Sequence, residues 1–397
     1  MPNVTCFGRG GSAPRVYYSD VGNHIIELAW VGRWIVNDLT ALTVGEISDL
    51  PSAKACFGVS GNDSRVYFPA VSPSLGVHVS ELAWVGGRWV QTNITERARV
   101  LIPTFDALSD KRLTCCGLGD SPHVYCAMGD HVVELALAPL GGWTHKDVTA
   151  ITGAPAIAPD SDLTCCGFYQ TAFGFGQTGV RVYYQDRHGH VNELAWDVET
   201  FQDPEGNWVH SDVTALAGAP AGDGGHLTCL GIGGGVLPVS PSPRIYYLDQ
   251  TQHVVELAWV GRWIFNDLTA LTKTSPPLKD SPLACFAAGE GGIGEAPHVY
   301  YLDGHVNELA WDGRRWRHTD VTALAEGPSP LLAVDMDCLG VDGLAARVYY
   351  SAQKIVGQGV YQNIFELAWI GRWVSNDLTE ITGAPQNSSV MTRTPRP

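Results

Sequence analysis

Short apolar stretches alternate with turn residues along the whole chain, and one order of stretches recurs seven times. Each copy reads as an apolar run of the form TCxG, then RVYY, then HVxELAW, then GRWxxNDLT, with Gly, Pro, Asp and Asn between them. Short stretches rich in Val, Ile, Tyr, Trp and Thr predict β-strands. Each copy therefore predicts four strands, and no long run has the apolar spacing of a helix.

Four strands per repeat at a regular period are the signature of a β-propeller. A single four-stranded sheet cannot bury both of its faces, but seven sheets stacked radially can. We predict an all-β, seven-bladed β-propeller with four antiparallel strands per blade, forming one domain over residues 1–387 and ending in a disordered tail at 388–397. The predicted blades span residues 5–50, 55–108, 113–158, 163–222, 227–278, 283–330 and 336–385.

Every tryptophan of the chain lies at one of two positions of the repeat. Of 13 Trp, six close the ELAW stretch and seven stand in GRW or its equivalent. The third copy has Leu137 in place of the ELAW Trp, as a packing position would tolerate. We interpret the ELAW tryptophans as blade-to-blade packing residues.

Charge and hydropathy exclude several classes of partner. The 397 residues carry a net charge of −16 and no Lys/Arg cluster, which argues against nucleic acid. No apolar run approaches the roughly 20 residues that span a membrane, so no membrane insertion is expected. The first residues lack the charged and apolar segments of a secretory signal peptide. We expect a cytoplasmic protein, or one released without such a signal.

Seven of the ten cysteines occupy one column, one per repeat, in the first strand. We expect that strand to line the inner part of the propeller, where equivalent residues lie too far apart for a disulfide. The adjacent pairs Cys115–Cys116 and Cys165–Cys166 lack the CxxC spacing of a zinc site. Free thiols, and hence a reducing compartment, are predicted.

Three columns carry chemistry. The cationic column, which opens the VYY strand, is Arg15, Arg65, His123, Arg181, Arg244, His298 and Arg347. The glutamate column is Glu27, Glu81, Glu134, Glu193, Glu256, Glu308 and Glu366. The GRW column is Trp34, Trp89, Trp143, Trp208, Trp263, Trp316 and Trp373.

A carboxylate inside an apolar strand requires a partner, because an unpaired buried charge is costly. Arg15 lies on the strand beside Glu27 and can reach it. Two interpretations remain open at this point. The pair either fixes blade geometry alone, or it also binds a sugar, since Arg donates to hydroxyls, a carboxylate accepts from them, and Trp packs on the apolar face of the ring.

A His-x-x-Glu pattern, as in His24 and Glu27, does not indicate a metal site. Residues three apart on a strand point to opposite faces, so the two side chains cannot share one ion. No metal and no cofactor are predicted. The Asp of the DLT segment, such as Asp38, is expected to shape the turn between blades.

These columns resemble the fungal fucose-specific lectins typified by Aleuria aurantia lectin. The matching text is RVYYSD…HIIELAWVGRW from Arg15, RVYYQDRHGHVNELAW from Arg181 and RIYYLDQTQHVVELAW from Arg244, and the resemblance extends from Thr5 to about Thr379. It implies metal-free L-fucose sites between consecutive blades, with Arg and Glu from one blade and Trp from the next. The implied sites are Arg15, Glu27 and Trp89; Arg65, Glu81 and Trp143; Arg181, Glu193 and Trp263; Arg244, Glu256 and Trp316; and Arg347, Glu366 and Trp34.

The chain departs from this family in two respects. The family typically has six blades, and seven change the angle between neighbours. His123 and His298 replace Arg, which puts in doubt the sites that they would form with Glu134 and Trp208 and with Glu308 and Trp373.

The sequence thus favours a multivalent lectin for glycans, fucosylated ones above all. The alternative is a non-catalytic interaction scaffold in which the Arg–Glu pairs are structural. We do not expect an enzyme, because hydrolysis of a glycosidic bond generally needs two carboxylates in one pocket, and each repeat offers a single Glu.

Overall fold

The computed structural model describes residues 4–9, 13–43, 55–59, 63–72, 76–100, 112–118, 121–138, 141–172, 175–198, 207–232, 242–288, 296–330, 336–341, 345–356 and 359–387. These residues form seven four-stranded sheets, each followed by a short helix. Neighbouring strands in every sheet are antiparallel and consecutive in the chain. The prediction of an all-β, seven-bladed propeller is confirmed. The predicted tail at 388–397 lies outside the described residues.

The elements are given in chain order, four strands to a blade. The strands are β1 Thr5–Arg9, β2 Ala13–Ser19, β3 Ile25–Trp30, β4 Trp34–Asp38, β5 Ala55–Val59, β6 Asp63–Ser72, β7 Gly76–Val85, β8 Arg88–Asn93, β9 Leu113–Leu118, β10 Ser121–Met128, β11 His131–Leu137, β12 Trp143–Asp147, β13 Leu163–Ala172, β14 Phe175–Gln185, β15 Val191–Val198, β16 Asn207–Asp212, β17 Gly222–Ile232, β18 Ser242–Asp249, β19 Val254–Trp259, β20 Trp263–Asp267, β21 Ala284–Ala288, β22 Ala296–Leu302, β23 Val306–Trp311, β24 Trp316–Asp320, β25 Met336–Val341, β26 Ala345–Val356, β27 Gly359–Trp369 and β28 Trp373–Asp377. The helices are α1 Leu39–Thr43, α2 Ile94–Arg97, α3 Val148–Thr152, α4 Val213–Ala217, α5 Leu268–Thr272, α6 Val321–Ala325 and α7 Leu378–Thr382.

The innermost strands of the blades form a closed ring. β1 contacts β5, the series continues through β9, β13, β17 and β21 to β25, and β25 contacts β1 again. Each helix contacts the outermost strand of the following blade, and α7 contacts β4 in the same way. The last blade therefore meets the first through an interface of the same kind as the other six.

The two tyrosines of the VYY strand serve two different interfaces. Successive residues on a strand point to opposite faces. The first, Tyr183 in blade 4, bonds to the glutamate column, whereas Tyr184 donates to the carbonyl of Pro155, which follows the helix of blade 3. Tyr18 donates to the Pro385 carbonyl at the junction of blades 7 and 1. Tyr183 also shares an apolar cluster with Leu227 and Trp263 of blade 5, so one dipeptide contacts both neighbouring blades.

Each helix is a single turn that the DLT segment sets up. The Asp side chain caps the helix, as Asp212 does by accepting from the backbone N–H of Ala215 at 2.8 Å. The Thr hydroxyl accepts from a backbone N–H of the third strand in all seven blades, at 2.8–2.9 Å. The expectation that Asp shapes the turn between blades is confirmed, while the helix itself was not predicted.

The cysteine column lies on the inner strands, as expected. Among the described cysteines, all thiols are free. Thr114, Thr164 and Thr228 contact the column thiol of the next blade, for example Thr164 with Cys229 at 3.3 Å. The side chain of Cys56 lies outside the described residues.

Three insertions in the repeat lengthen a hairpin within the sheet, the first where β6 and β7 pair out to Ser72 with Gly76. β26 and β27 pair from Ser351 with Ile364 out to Val356 with Gly359, and β13 and β14 extend in the same way. In the described parts of the chain, every helix is far too short to cross a membrane.

Candidate functional site

The clefts between blades are numbered here by the blade that supplies the glutamate, so cleft 1 lies between blades 1 and 2 and cleft 7 between blades 7 and 1. In β2 and β3, Tyr17 pairs with Glu27, and Arg15 pairs with Ala29. Strand alternation therefore puts Arg15, Tyr17 and Glu27 on one face. The Arg15 guanidinium donates to Glu27 Oε1 at 3.1 Å, and the Tyr17 hydroxyl donates to the same oxygen at 2.9 Å.

The bond from tyrosine to glutamate is present in every blade. The glutamates are buried, with at most 7% of their surface exposed. The distances are 2.6–3.1 Å, from Tyr17, Tyr67, Tyr125, Tyr183, Tyr246, Tyr300 and Tyr349 to Glu27, Glu81, Glu134, Glu193, Glu256, Glu308 and Glu366.

The cationic column meets the glutamate in every blade, but not in one geometry. Arg65 and Arg244 donate to Glu81 and Glu256 as Arg15 does to Glu27. His123 and His298 contact Glu134 and Glu308 through Nδ1, both at 2.9 Å. The remaining two arginines approach through Nε, Arg347 at 3.6 Å from Glu366 and Arg181 at 3.7 Å from Glu193.

Cleft 4 differs because a second carboxylate competes for the arginine. The two terminal nitrogens of Arg181 donate to the two oxygens of Asp197 at 2.8 and 2.9 Å. Burial raises the pKa of Glu193, an effect that Arg181 and Tyr183 oppose and that the charge of Asp197 reinforces.

Burial determines the protonation of the tyrosines. It raises the pKa of Tyr183 and of Tyr349 well above the ordinary value, and the neighbouring carboxylates raise them further. These phenols therefore stay protonated and donate, which leaves the glutamates as acceptors. Burial also raises the pKa of Glu366, although Arg347, Asn376 and Tyr349 oppose it.

The GRW tryptophan of the next blade packs on the same tyrosine. Ring centroids lie 6.1–6.3 Å apart in edge-to-face geometry for Trp143 on Tyr67, Trp208 on Tyr125, Trp316 on Tyr246 and Trp34 on Tyr349. Trp89, Trp263 and Trp373 share an apolar cluster with Tyr17, Tyr183 and Tyr300. All seven predicted groups of cation, glutamate and tryptophan are thus brought together, including the one between the last blade and the first. Their role in binding stays a prediction.

Cleft 1 is open and large, with a volume of about 890 Å³. Arg15, Glu27 and Asn37 of blade 1 line one side, and Trp84 and Trp89 of blade 2 line the other. Asn37 donates to Glu27 Oε2 at 2.7 Å, so both carboxylate oxygens are held in place.

The interpretation of the ELAW tryptophans as packing residues holds for part of the column. Trp84, Trp196, Trp259 and Trp311 pack against apolar clusters between blades. Trp30 and Trp369 are instead 38% and 40% exposed, and Trp84 also lines cleft 1. In blades 1, 2, 5, 6 and 7 the GRW tryptophan packs edge-to-face on its ELAW neighbour, with ring centroids 5.6–6.0 Å apart. The position of the ELAW Trp at the end of a strand, directly before a turn, was the signal for this exposure.

The histidine of the His-x-x-Glu pattern faces the capping Asp and not the glutamate. His24 Nδ1 lies 2.7 Å from Asp38 Oδ2, and this bond raises the pKa of His24. His131, His190, His253 and His305 make the same contact in their blades. Across the described residues there is no group of three His, Cys, Asp or Glu suited to a metal ion.

A scan against protein-family models and a search of curated proteins find no match to this chain. Solved structures do match. SapL1 lectin in complex with alpha methyl fucoside is 20% identical with a TM-score of 0.51, covering 82% of this chain and 95% of that one. The fungal lectin of Aleuria aurantia, a six-bladed β-propeller, is 16% identical with a TM-score of 0.51, covering 94% and 92%. BP39L lectin from Burkholderia pseudomallei is 14% identical with a TM-score of 0.58, covering 92% and 94%.

The chain shares the fold of these lectin propellers. The resemblance drawn from the sequence is therefore confirmed at the level of the fold. Blades of a six-membered ring are stepped at a wider angle than those of a seven-membered ring, so the Aleuria lectin and this chain cannot superpose throughout.

Proposed function

We propose that the chain is a multivalent lectin that binds fucose-type sugars in the clefts between its blades. The observation that carries the proposal is cleft 1, where Arg15, Glu27, Trp84 and Trp89 from two blades line one open space. SapL1, which has the same fold, is described in complex with alpha methyl fucoside.

The chemistry of cleft 1 suits a sugar. A carboxylate offers about four acceptor positions, and Glu27 accepts three bonds, from Arg15, Tyr17 and Asn37. One position is left for a sugar hydroxyl, and the Arg15 guanidinium has further N–H groups to donate. Trp84, which is partly buried and lines the cleft, offers a flat surface to the apolar side of the ring. Fucose, a deoxy sugar with a methyl group, fits a site that combines both kinds of surface.

Binding is favoured over hydrolysis by the set of acidic groups. Glu27 is the one carboxylate among the described residues that line cleft 1. A glycosidase of the common kind requires two, separated by about 5–10 Å. Seven clefts on one ring instead suit avidity, because linked sites bind a glycan-bearing surface more strongly than each site alone.

The interaction scaffold remains the second candidate, since the bond from tyrosine to glutamate is buried in all seven blades. That bond would hold blade geometry with or without a ligand. The second tryptophan, Trp84, distinguishes the two candidates, because a purely structural pair has no use for an aromatic surface that lines the cleft.

The test is calorimetric titration with methyl α-L-fucoside, supported by a glycan array. We expect Trp84→Ala to remove binding at cleft 1, lowering the measured number of sites by one, and a thermal melt checks that the variant stays folded, because Trp84 also packs against an apolar cluster and on Trp89. Val21→Ala is the matched control, since Val21 is 66% exposed and lies outside the residues lining cleft 1. Folded protein that binds no sugar would support the scaffold.

A further inference from the structure

Three of the seven blades carry almost the same segment from the glutamate to the end of the helix. Blade 1 reads ELAWVGRWIVNDLTALT from Glu27, blade 5 reads ELAWVGRWIFNDLTALT from Glu256, and blade 7 reads ELAWIGRWVSNDLTEIT from Glu366. The first two differ at one position, Val36 against Phe265. The other four blades differ in turn length or in several side chains.

Clefts 1, 5 and 7 share one set of polar side chains, an Arg, a Glu and an Asn, which we call the polar floor. Each has an Arg in the cationic column and an Asn directly across the strand pair from the glutamate. Asn37, Asn266 and Asn376 donate to the second carboxylate oxygen of Glu27, Glu256 and Glu366 at 2.7, 2.7 and 2.8 Å. In the other four clefts the residue opposite the glutamate is Thr92, Lys146, Ser211 or Thr319.

An apolar edge accompanies this floor. In cleft 1, Val31 of the turn, Ile35 of β4 and Leu42 of α1 line the same space as Arg15 and Glu27. The turn and helix residues are 55–61% exposed in all three blades, and they are Val31 and Leu42, Val260 and Leu271, and Ile370 and Ile381.

Single exposed aliphatic side chains are ordinary on a protein surface. Here they recur in pairs beside one polar floor, and only in part elsewhere. Cleft 2 has Arg97 at the helix position, and clefts 4 and 6 have Asp197 and Asp312 after the ELAW Trp. The recurrence therefore follows the Asn-bearing floor.

We infer that clefts 1, 5 and 7 form one class of site, and that each binds a fucose-type sugar whose aglycone is apolar. This inference rests on the proposed function. The sugar lies on the Arg, Glu and Trp floor, and the aglycone lies against the aliphatic edge. A volume of about 890 Å³ exceeds what one sugar ring fills and lies in the range for larger ligands, roughly 300–1,000 Å³.

The test compares methyl α-L-fucoside with butyl α-L-fucoside by calorimetric titration of the full chain. We expect about three strong sites per chain and a butyl glycoside that binds about tenfold more tightly, because each methylene that leaves water adds favourable free energy. The triple variant Leu42→Ser, Leu271→Ser and Ile381→Ser should reduce that tenfold ratio of affinities to nearly one.

Leu324→Ser provides the matched control. Leu324 occupies the same helix position and is 61% exposed, but cleft 6 has His298 and Asp312. The ratio should not change in this variant. Equal affinity for the two glycosides, or an equal loss in Leu324→Ser, would overturn the apolar edge, and seven equal sites would overturn the class of three. Absence of methyl fucoside binding would instead refute the proposed function itself.

Discussion

At the scale of single residues, Asp197 sets cleft 4 apart from its neighbours. It holds both terminal nitrogens of Arg181, which leaves Arg181 Nε at 3.7 Å from Glu193. An arginine that is bonded in this bidentate manner is less free to donate to a ligand. Cleft 4 should therefore bind sugar weakly, although the sequence gives it the full set of Arg, Glu and Trp.

We predict that Asp197→Ala restores this cleft. Without the competing carboxylate, Arg181 should approach Glu193 as Arg15 approaches Glu27. Calorimetric titration with methyl α-L-fucoside should then show tighter binding at one of the weaker sites, while the three strong sites of clefts 1, 5 and 7 stay unchanged. Asp312→Ala is the control, because Asp312 pairs with Arg317 and does not contact the cationic column. Unchanged affinity of the weaker sites in Asp197→Ala would contradict this account.

The spacing of residues predicted which side chains meet, but not how each pair is arranged. Arg15 and Glu27 lie on adjacent strands, so their contact follows from the repeat alone. The geometry of Arg181 depends on Asp197, which lies beyond the repeated motif on a strand that continues to Val198. The exposure of the ELAW tryptophans depends in turn on a hairpin whose end faces the cleft. Contacts within the motif were thus predictable, whereas contacts made by residues at its edges were not.

At the scale of elements, the single-turn helix after each fourth strand connects one blade to the next. Its Thr accepts a hydrogen bond from a buried N–H of the third strand, as Thr214 does from Val191 at 2.8 Å. Thr214 is 1% exposed, so water cannot replace that bond. A buried N–H without a partner costs about 1–3 kcal/mol.

We predict that Thr214→Val lowers the free energy of unfolding by about 1–3 kcal/mol, since Val keeps the shape of Thr and removes its acceptor. Thr214→Ser keeps the hydroxyl and should cost less. The midpoint of chemical denaturation measures both variants. No destabilisation by Val, or a larger loss in Ser than in Val, would indicate that packing of the Thr methyl group matters and that the hydrogen bond does not.

These helices were not predictable from hydrophobic periodicity, because four or five residues are too few to show a helical period. Their ends were nevertheless encoded. Asp147 stands at the cap and Gly153 follows the last turn with φ of 65°, a conformation that Gly adopts without strain. Local capping residues therefore encode these helices, although the apolar pattern does not reveal them.

At the scale of the whole molecule, the junction of blades 7 and 1 has one feature of its own. Asp337 stands in β25 where four of the other blades have Thr. Its Oδ2 accepts from the backbone N–H of Cys6 at 2.7 Å and from the Thr5 hydroxyl at 3.3 Å. Burial raises the pKa of Asp337 to about 6, although these bonds lower it in part. A carboxylate thus holds the inner strands of the first and last blades together.

This raised pKa makes the stability of the junction depend on pH. In the unfolded chain an Asp ionises near about 3.9, whereas folded Asp337 ionises near 6. Between these values the folded state binds more protons, so the contribution of Asp337 to stability is greatest below about pH 4 and falls as the pH rises to about 6. Asp337→Asn keeps one acceptor oxygen and removes the ionisation. The thermal midpoint of the unaltered protein should therefore fall by about 1–3 °C relative to Asp337→Asn between pH 4 and pH 6.5.

The pairs formed by His24 and His190 with their Asp partners also weaken as the pH rises, because their raised pKa values favour the protonated state. They are common to both proteins, so the difference between the two curves isolates the junction, and parallel curves would show that Asp337 does not control the closure of the ring.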